Sequence, residues 1–409
     1  MSFLLGQPQL FIMSINANKY WDTYNTYIKF YNNFGYNIKQ IETGNGCMPT
    51  YPFKIGEFVF VLTKNGKVYG MGRNEGNILA IGCETLKYSE EFVQIQGLEN
   101  IIQISASDSY LLSLTSQGEV YITGVKVILN DIDSNTYWND PIIEAEQIPN
   151  LPKIVQVVAG NNVAMFLDQN GQVWYIGCIN EDAHTTINPW VHRARLLEFD
   201  SKGTKIIKVD VKDQFGALLG ENGEYWLFGT KDINASIRSS FNNHPSFNNH
   251  PKFIDIKTFT HSNYVFFLDE LGGVWTIGKM PYVSATWSKI ELPFSVRKIL
   301  TQYVFVDING LVHTNFYGQN KIWTIKDKYG NDQVKVLIDS DQTILAEGGN
   351  GYIIGVTNPE ISLSTLQLVL SPILPNPKDL IIKYYYDPAT LKKIQLLLRK
   401  HEIIHEFIK

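Results

Sequence analysis

The pentapeptide His401-Glu402-Ile403-Ile404-His405 matches the H-E-x-x-H pattern. On a helix its two imidazoles would lie one turn apart on one face, able to hold a zinc ion, with the glutamate placed as a general base. The element that would carry it reads as a helix over 388–409, opened by Pro388 and followed by Leu391, Ile394, Leu397, Leu398, Ile404 and Phe407. Only four residues follow His405, so a third ligand has no downstream chain to occupy and the last turn frays. His401, Glu402 and His405 are therefore read as a chance match, with no metal, and the helix as an amphipathic docking element. Its stripe, with Leu391, Ile394 and Leu398, is expected to pack on the rest of the chain or on a partner.

The other reactive types are scattered. His244 and His250 sit in a tandem SFNNHP duplication (240–251), which reads as an exposed polar loop rather than a ligand pair. Cys47, Cys83 and Cys178 are widely spaced and odd in number, which argues against a disulfide framework or a zinc ribbon and suits a reducing compartment. No Walker A loop, no GxGxxG opening a helix, no GxSxG and no Ser-His-Asp or Cys-His constellation is present. No cofactor and no enzyme class is expected.

The net charge is −5 with no dense Lys/Arg cluster, which disfavours nucleic acid as the main partner. The N-terminus lacks the basic region of a signal peptide, and no apolar run reaches the roughly 18 residues of a membrane span. A soluble protein of the cytoplasm, or of the nucleus, is expected.

What organises the chain is a hairpin. FVFVLTKNGKVYGMGRNEG, 58–76, reads as two strands around an Asn-Gly turn, whose residues must tolerate positive φ. It recurs in IIQISASDSYLLSLTSQGEVYITG (101–124), IVQVVAGNNVAMFLDQNGQVWYIG (154–177), IIKVDVKDQFGALLGENGEYWLFG (206–229) and FIDIKTFTHSNYVFFLDELGGVWTIG (253–278). Two degenerate copies follow, at 303–316 and 342–355. The turn glycines Gly66, Gly118, Gly171, Gly223, Gly272, Gly310 and Gly351 lie 52, 53, 52, 49, 38 and 41 residues apart. A period of about 40–50 residues with three or four short strands is that of a β-propeller blade. One small sheet cannot bury both faces alone, whereas sheets stacked around a ring bury each other. The expected fold is all-β, a seven-bladed propeller over 38–370, with an extension over 371–409. Within the N-terminal segment, 1–37, Leu10–Ile15 is expected to be a strand closing the last blade.

The copies LTKNGKVYGMGRNEGNILAIG (62–82), LTSQGEVYITG, LDQNGQVWYIG and LDELGGVWTIG resemble the RCC1 repeat, that of regulator of chromosome condensation, from about residue 38 to 356. Copies six and seven are weak, and Phe316 stands where a glycine is expected. The resemblance implies an RCC1-like propeller. It also implies either protein binding alone or guanine-nucleotide exchange on a Ran-like small GTPase through one propeller face. Of the positions such exchange would use, the first aspartate is kept as Asp108, the second matches Asn162, and the histidine matches Asn263, with His261 out of register. The family's wedge would fall in 125–141, where Asn130, Asp131, Asp133, Tyr137 and Trp138 stand, but this stretch is not recognisably a wedge. Loss of an acid alters the charge complementarity that governs on-rate and specificity. The sequence therefore reads as a non-catalytic interaction module or scaffold subunit with a protein partner; the alternative is an exchange factor for a Ran-like GTPase. Asp108 alone has an equally good reading as a turn residue bonded to its own backbone.

Overall fold

Short runs of β-branched and aromatic residues, broken by glycine-bearing turns, form antiparallel strands along the whole repeat region. The computed structural model describes residues 10–14, 27–31, 34, 37–43, 58–74, 77–80, 88–107, 109–125, 141–161, 163–177, 191–212, 215–228, 252–258, 263–279, 288–301, 304–308, 312–314, 325–326, 332–333, 343–349 and 352–357. Every regular element among them is a strand. The helix expected over 388–409 lies outside the described residues.

The first sheet runs Ile38–Thr43, Phe58–Thr63, Val68–Arg73, Tyr88–Gln94, each strand antiparallel to the one before. The second runs Ile101–Ala106, Tyr110–Thr115, Val120–Val125, Pro141–Gln147, and the third Ile154–Ala159, Val163–Asp168, Val173–Gly177, Val191–Leu196. The fourth has three described strands, Ile206–Lys212, Phe215–Gly220 and Tyr225–Phe228. The fifth adds Ser288–Ile290 outside Phe253–Thr258, Asn263–Asp269 and Val274–Lys279. The sixth comprises Val296–Thr301, Val304–Asp307 and Val312–Thr314, followed by a two-stranded ribbon, Ile325–Lys326 with Asp332–Gln333.

A further sheet joins the two ends of the chain. Thr343–Gly349 and Tyr352–Thr357 supply its first two strands, and Leu10–Ser14 pairs antiparallel with the second, Leu10 opposite Val356 and Ser14 opposite Tyr352. Tyr27–Tyr31 adds the outer strand. Consecutive sheets abut in chain order, and this closing sheet abuts both the sixth and the first. Apart from the fifth-to-sixth junction, the first strands touch one another from sheet to sheet, which places them innermost, around the axis of a propeller.

The core lies between sheets rather than within one. Phe60, Leu62 and Val68 of the first sheet meet Ile101, Ile104 and Leu111 of the second. Leu112, Leu114 and Ile122 of the second meet Val157 and Phe166 of the third. The pattern repeats between third and fourth, fourth and fifth, and fifth and sixth sheets. Second strands such as Phe58–Thr63 and Val163–Asp168 are buried along their whole length, because a neighbouring sheet covers each face. That is why they read as unbroken apolar runs rather than alternating ones.

Both glycines of the repeat have a steric cause. Gly118 has φ +89°, and a Cβ there would lie 2.5 Å from Lys153 Cγ and 3.0 Å from the Ile154 nitrogen of the next sheet. Gly124, six residues on, has φ +102°, and a Cβ would meet the carbonyl oxygen of Ser109, just before the neighbouring strand. An L side chain fits neither place. The Asp-x-x-G-x-V-W pattern is equally structural. Asp168 Oδ1 accepts from the Asn170 and Gln172 amides, and its Oδ2 accepts from Trp174 Nε1 at 3.3 Å. Asp269 does the same with Leu271, Gly273 and Trp275.

Candidate functional site

Strand direction sorts the connections into two ends. Each first strand starts beside the tight turn of the preceding sheet; the Ile101 amide donates to Gly66 O at 3.1 Å and the Ile154 amide to Gly118 O at 3.1 Å. The turns between second and third strands therefore lie at that end. The connections between first and second strands, and the longer ones between third and fourth, lie at the other. The long ones include 126–140, 178–190 and 280–287.

Of the positions implied by the resemblance, one is described, and it falls at this second end. Asn263 is the first residue of the second strand in the fifth sheet. Asp108 and Asn162 lie outside the described residues, between the first and second strands of the second and third sheets. Asn130, Asp131, Asp133, Tyr137 and Trp138, between Val120–Val125 and Pro141–Gln147, lie outside them too. So do Leu391, Ile394, Leu398, His401, Glu402 and His405.

What flanks these positions is well defined. Ser107 is buried and organises its turn: its Oγ accepts from the Ser109 and Tyr110 amides at 3.3 and 3.2 Å, and its own amide donates to Tyr110 O at 3.0 Å. Tyr110 is fully buried, and its hydroxyl lies within reach of Gly160 O and of Val163 O, the latter at 3.0 Å. Gly160 in turn donates to Val163 O at 2.8 Å. One tyrosine therefore bolts the turn around position 108 to the turn around position 162. Lys212, at the end of its innermost strand, reaches Ala106 O at 3.4 Å, two sheets away. It brings a cation to this end of the axis.

The scaffold behind these turns is stiffened by side chains acting as backbone. Gln40 donates to Ile104 O at 2.8 Å and accepts from the Ile104 amide at 3.0 Å. Gln103 clamps Val157, with both bonds at 3.1 Å, and Gln156 clamps Val209 at 2.9 and 3.0 Å. Each carboxamide presents one donor and one acceptor, as a strand residue does, and so ties an innermost strand to the next. At the fourth-to-fifth junction the device changes to a Lys208–Asp255 ion pair. A second tier follows: Ser105 Oγ accepts from the Ala159 amide at 3.0 Å, and Asp210 Oδ2 accepts from Thr258 Oγ1 at 3.0 Å. Neither Tyr110, Lys212 nor the glutamines were singled out by sequence reasoning. The signal for the last was present, as glutamine at the third place of IKQI, IIQI and IVQV.

Among the described residues no group of three or more His, Cys, Asp or Glu could hold a metal ion, and no helix is long and apolar enough to cross a membrane. No protein-family model matches the chain. In sequence it is similar to human regulator of chromosome condensation, 27% identical over 132 residues, covering 30% of this chain and 29% of that protein. The mouse protein of the same name is 26% identical over 125 residues, again covering 30% and 29%. The match thus spans less than a third of the length of these curated relatives. In structure the chain is similar to human WBSCR16, with a TM-score of 0.62 at 15% identity, covering 86% of this chain and 99% of that one. With its repeat sequence and its ring of antiparallel sheets, the chain is an RCC1-like β-propeller.

Proposed function

We propose that this propeller is a non-catalytic protein-interaction module of the cytoplasm or nucleus, and that it engages its partner with the end bearing the long connections. The observation that carries this reading is the asymmetry between the ends: tight turns at one, and at the other 126–140, 178–190 and 280–287. Binding residues concentrate on loops that a rigid scaffold positions. Here the clamped innermost strands and the Tyr110 bolt supply that rigidity. The contact residues of this reading are Asp108, Asn162 and Asn263 with Asn130, Asp131, Asp133, Tyr137 and Trp138.

The test is affinity capture from the native cell with the full chain, followed by capture with Tyr137→Ser and Trp138→Ser together. The expected result is a loss of the captured partner of about tenfold or more with an unchanged melting temperature, since buried aromatic anchors dominate interfaces. Unchanged capture would remove this end from consideration.

A second reading, guanine-nucleotide exchange on a Ran-like GTPase, is favoured by the similarity to regulator of chromosome condensation and by Asp108. It is weakened by Asn162 and Asn263 standing where the family has an acid and a histidine. Release of mant-GDP from Ran decides it. Acceleration that Asp108→Ala abolishes establishes exchange, and no acceleration at micromolar protein leaves binding alone.

A further inference from the structure

The tight turns carry a reactive pair of residues. Asparagine precedes glycine at Asn65-Gly66, Asn170-Gly171 and Asn222-Gly223, each at the tight turn of a hairpin. Asn45, Asn309 and Asn350 also precede a glycine, but lie outside the described residues. An asparagine carboxamide in this setting can be attacked by the backbone nitrogen of the next residue, and glycine has no Cβ to hinder the approach. In all three described turns the asparagine is exposed. In all three the glycine amide also donates across the turn, to Thr63 O at 3.0 Å, Asp168 O at 3.1 Å and Gly220 O at 2.9 Å. That bond must open before attack, and it is common to the three.

The carboxamides are not alike. Asn65 Oδ1 accepts from Thr63 Oγ1 at 2.6 Å. Asn222 Nδ2 donates to Thr204 Oγ1 at 3.2 Å, and its Oδ1 accepts from the Glu224 amide at 3.0 Å. Among the described residues no hydrogen bond reaches the carboxamide of Asn170, which is held only through its backbone amide, on Asp168 Oδ1 at 2.8 Å. The glycines differ in the same sense. Gly66 and Gly223 are buried, whereas Gly171 is half-buried and open to the water that removes its proton.

We infer that Asn170 is a site of spontaneous covalent modification, deamidating ahead of Asn65 and Asn222 in the folded protein. The Gly171 nitrogen, having lost its proton to hydroxide, bonds to Asn170 Cγ; the bond from Cγ to the side-chain nitrogen breaks, and ammonia leaves. Water then opens the cyclic imide. If the Gly171 nitrogen leaves Cγ the product is aspartate, and if it leaves the main-chain carbonyl carbon the product is isoaspartate. Either product adds one negative charge to the net −5. A carboxamide held by a hydrogen bond must first be released, which slows Asn65 and Asn222 by about 2- to 13-fold per bond relative to Asn170. Isoaspartate also routes the main chain through an extra methylene between residues 170 and 171. The amides on either side of it, Asn170 and Gln172, both donate to Asp168 Oδ1, at 2.8 and 2.9 Å. A longer link cannot keep both, and Trp174, whose Nε1 donates to Asp168 Oδ2 at 3.3 Å, sits beside the disturbed carboxylate.

The experiment ages the full chain in warm buffer at mildly alkaline pH and follows amide-to-acid conversion at positions 65, 170 and 222 by peptide mass spectrometry. Fragmentation that cleaves between Cα and Cβ separates isoaspartate from aspartate. Conversion at 170 is expected to outrun that at 65 and at 222 by about twofold or more. It is expected to quicken as pH rises and to give isoaspartate alongside aspartate. In concentrated urea, where the side-chain bonds are gone, the three rates should converge. Conversion at 65 or 222 that equals or exceeds that at 170 in the folded chain overturns the inference, as does the absence of conversion at 170. A lead for 170 that persists undiminished in urea also overturns it, since the cause would then lie in the local sequence rather than the fold. Asn170→Ser, a residue suited to the same turn position, serves as the control. Ageing should alter the tryptophan fluorescence of the wild type and not that of Asn170→Ser; equal change in both removes the proposed effect on Asp168 and Trp174.

Discussion

Gln103→Ala removes one inter-sheet clamp and nothing else of size. The lost pair of bonds joins the Gln103 carboxamide to both backbone groups of Val157. At a net 0.5–1.5 kcal/mol per hydrogen bond, the loss is about 1–3 kcal/mol at the buried Val157. A cost of 1 kcal/mol lowers the melting temperature by roughly 2–4 °C in domains of 150–250 residues, so a drop of about 2–6 °C is expected for this longer chain. Calorimetry or circular dichroism on the full chain measures it, with Gln96→Ala as control, since Gln96 bonds only locally to Gln94 O. Gln103→Glu sharpens the test because shape is kept while the donor is lost. Its carboxylate would face Val157 O, which raises the folded-state pKa above the unfolded value. Protonation restores the donor, so the deficit against wild type is full at neutral pH and shrinks as pH falls through the raised pKa. Gln40→Ala with Gln156→Ala should add, since their two junctions share no strand. A Gln103→Ala protein melting within 1 °C of wild type would refute the clamp and leave the apolar cores as the sole tie between innermost strands.

Three further outcomes follow from the same geometry. Gly118→Ala should cost clearly more than Gly203→Ala in a thermal melt. Their φ values are +89° and +78°, but only at Gly118 does a Cβ meet a neighbour, while nothing lies within 4 Å at Gly203; equal costs would leave only the backbone conformation as cause. Asp269→Asn should destabilise by about 1–3 kcal/mol and shift the fluorescence of Trp275, because three donors converge on that carboxylate and an amide must turn a donor toward one of them. Tyr110→Phe keeps the ring and deletes one bond, so about 0.5–1.5 kcal/mol should be lost, with faster exchange of the Val163 amide if the two turns are indeed bolted together.

The hairpins were legible because each carries its own instructions: an apolar run, a turn glycine, and a second glycine six residues on. The first strands were legible for the same reason. The outer strands were not. Tyr88–Gln94 and Val191–Leu196 carry Glu90, Glu91, Arg193 and Arg195, and have no apolar period to announce them. Tyr27–Tyr31 was missed within an aromatic stretch broken by asparagines, because its partner, Leu10–Ser14, is itself paired to the far end of the repeat region. The clamps escaped for a related reason. A glutamine on a strand looks like any polar residue until its partner, 64 residues on for Gln40 and 54 for Gln103, is brought beside it. At the candidate site, the turns could be located from the repeat. Tyr110 and Lys212 could not, since their partners belong to other copies.

The closing sheet sets an order of events during synthesis. Leu10–Ser14 and Tyr27–Tyr31 leave the ribosome first, yet the strand they pair with, Tyr352–Thr357, is made after all the other sheets. At roughly 5–20 residues per second, the earliest strands wait on the order of tens of seconds for their partner. During that time the intervening sheets can stack on one another, while a two-stranded ribbon alone is marginal in water and keeps an unpaired edge. The ring is thus latched last, by its oldest residues. A nascent or truncated chain lacking the final strands should be the form that chaperones recognise.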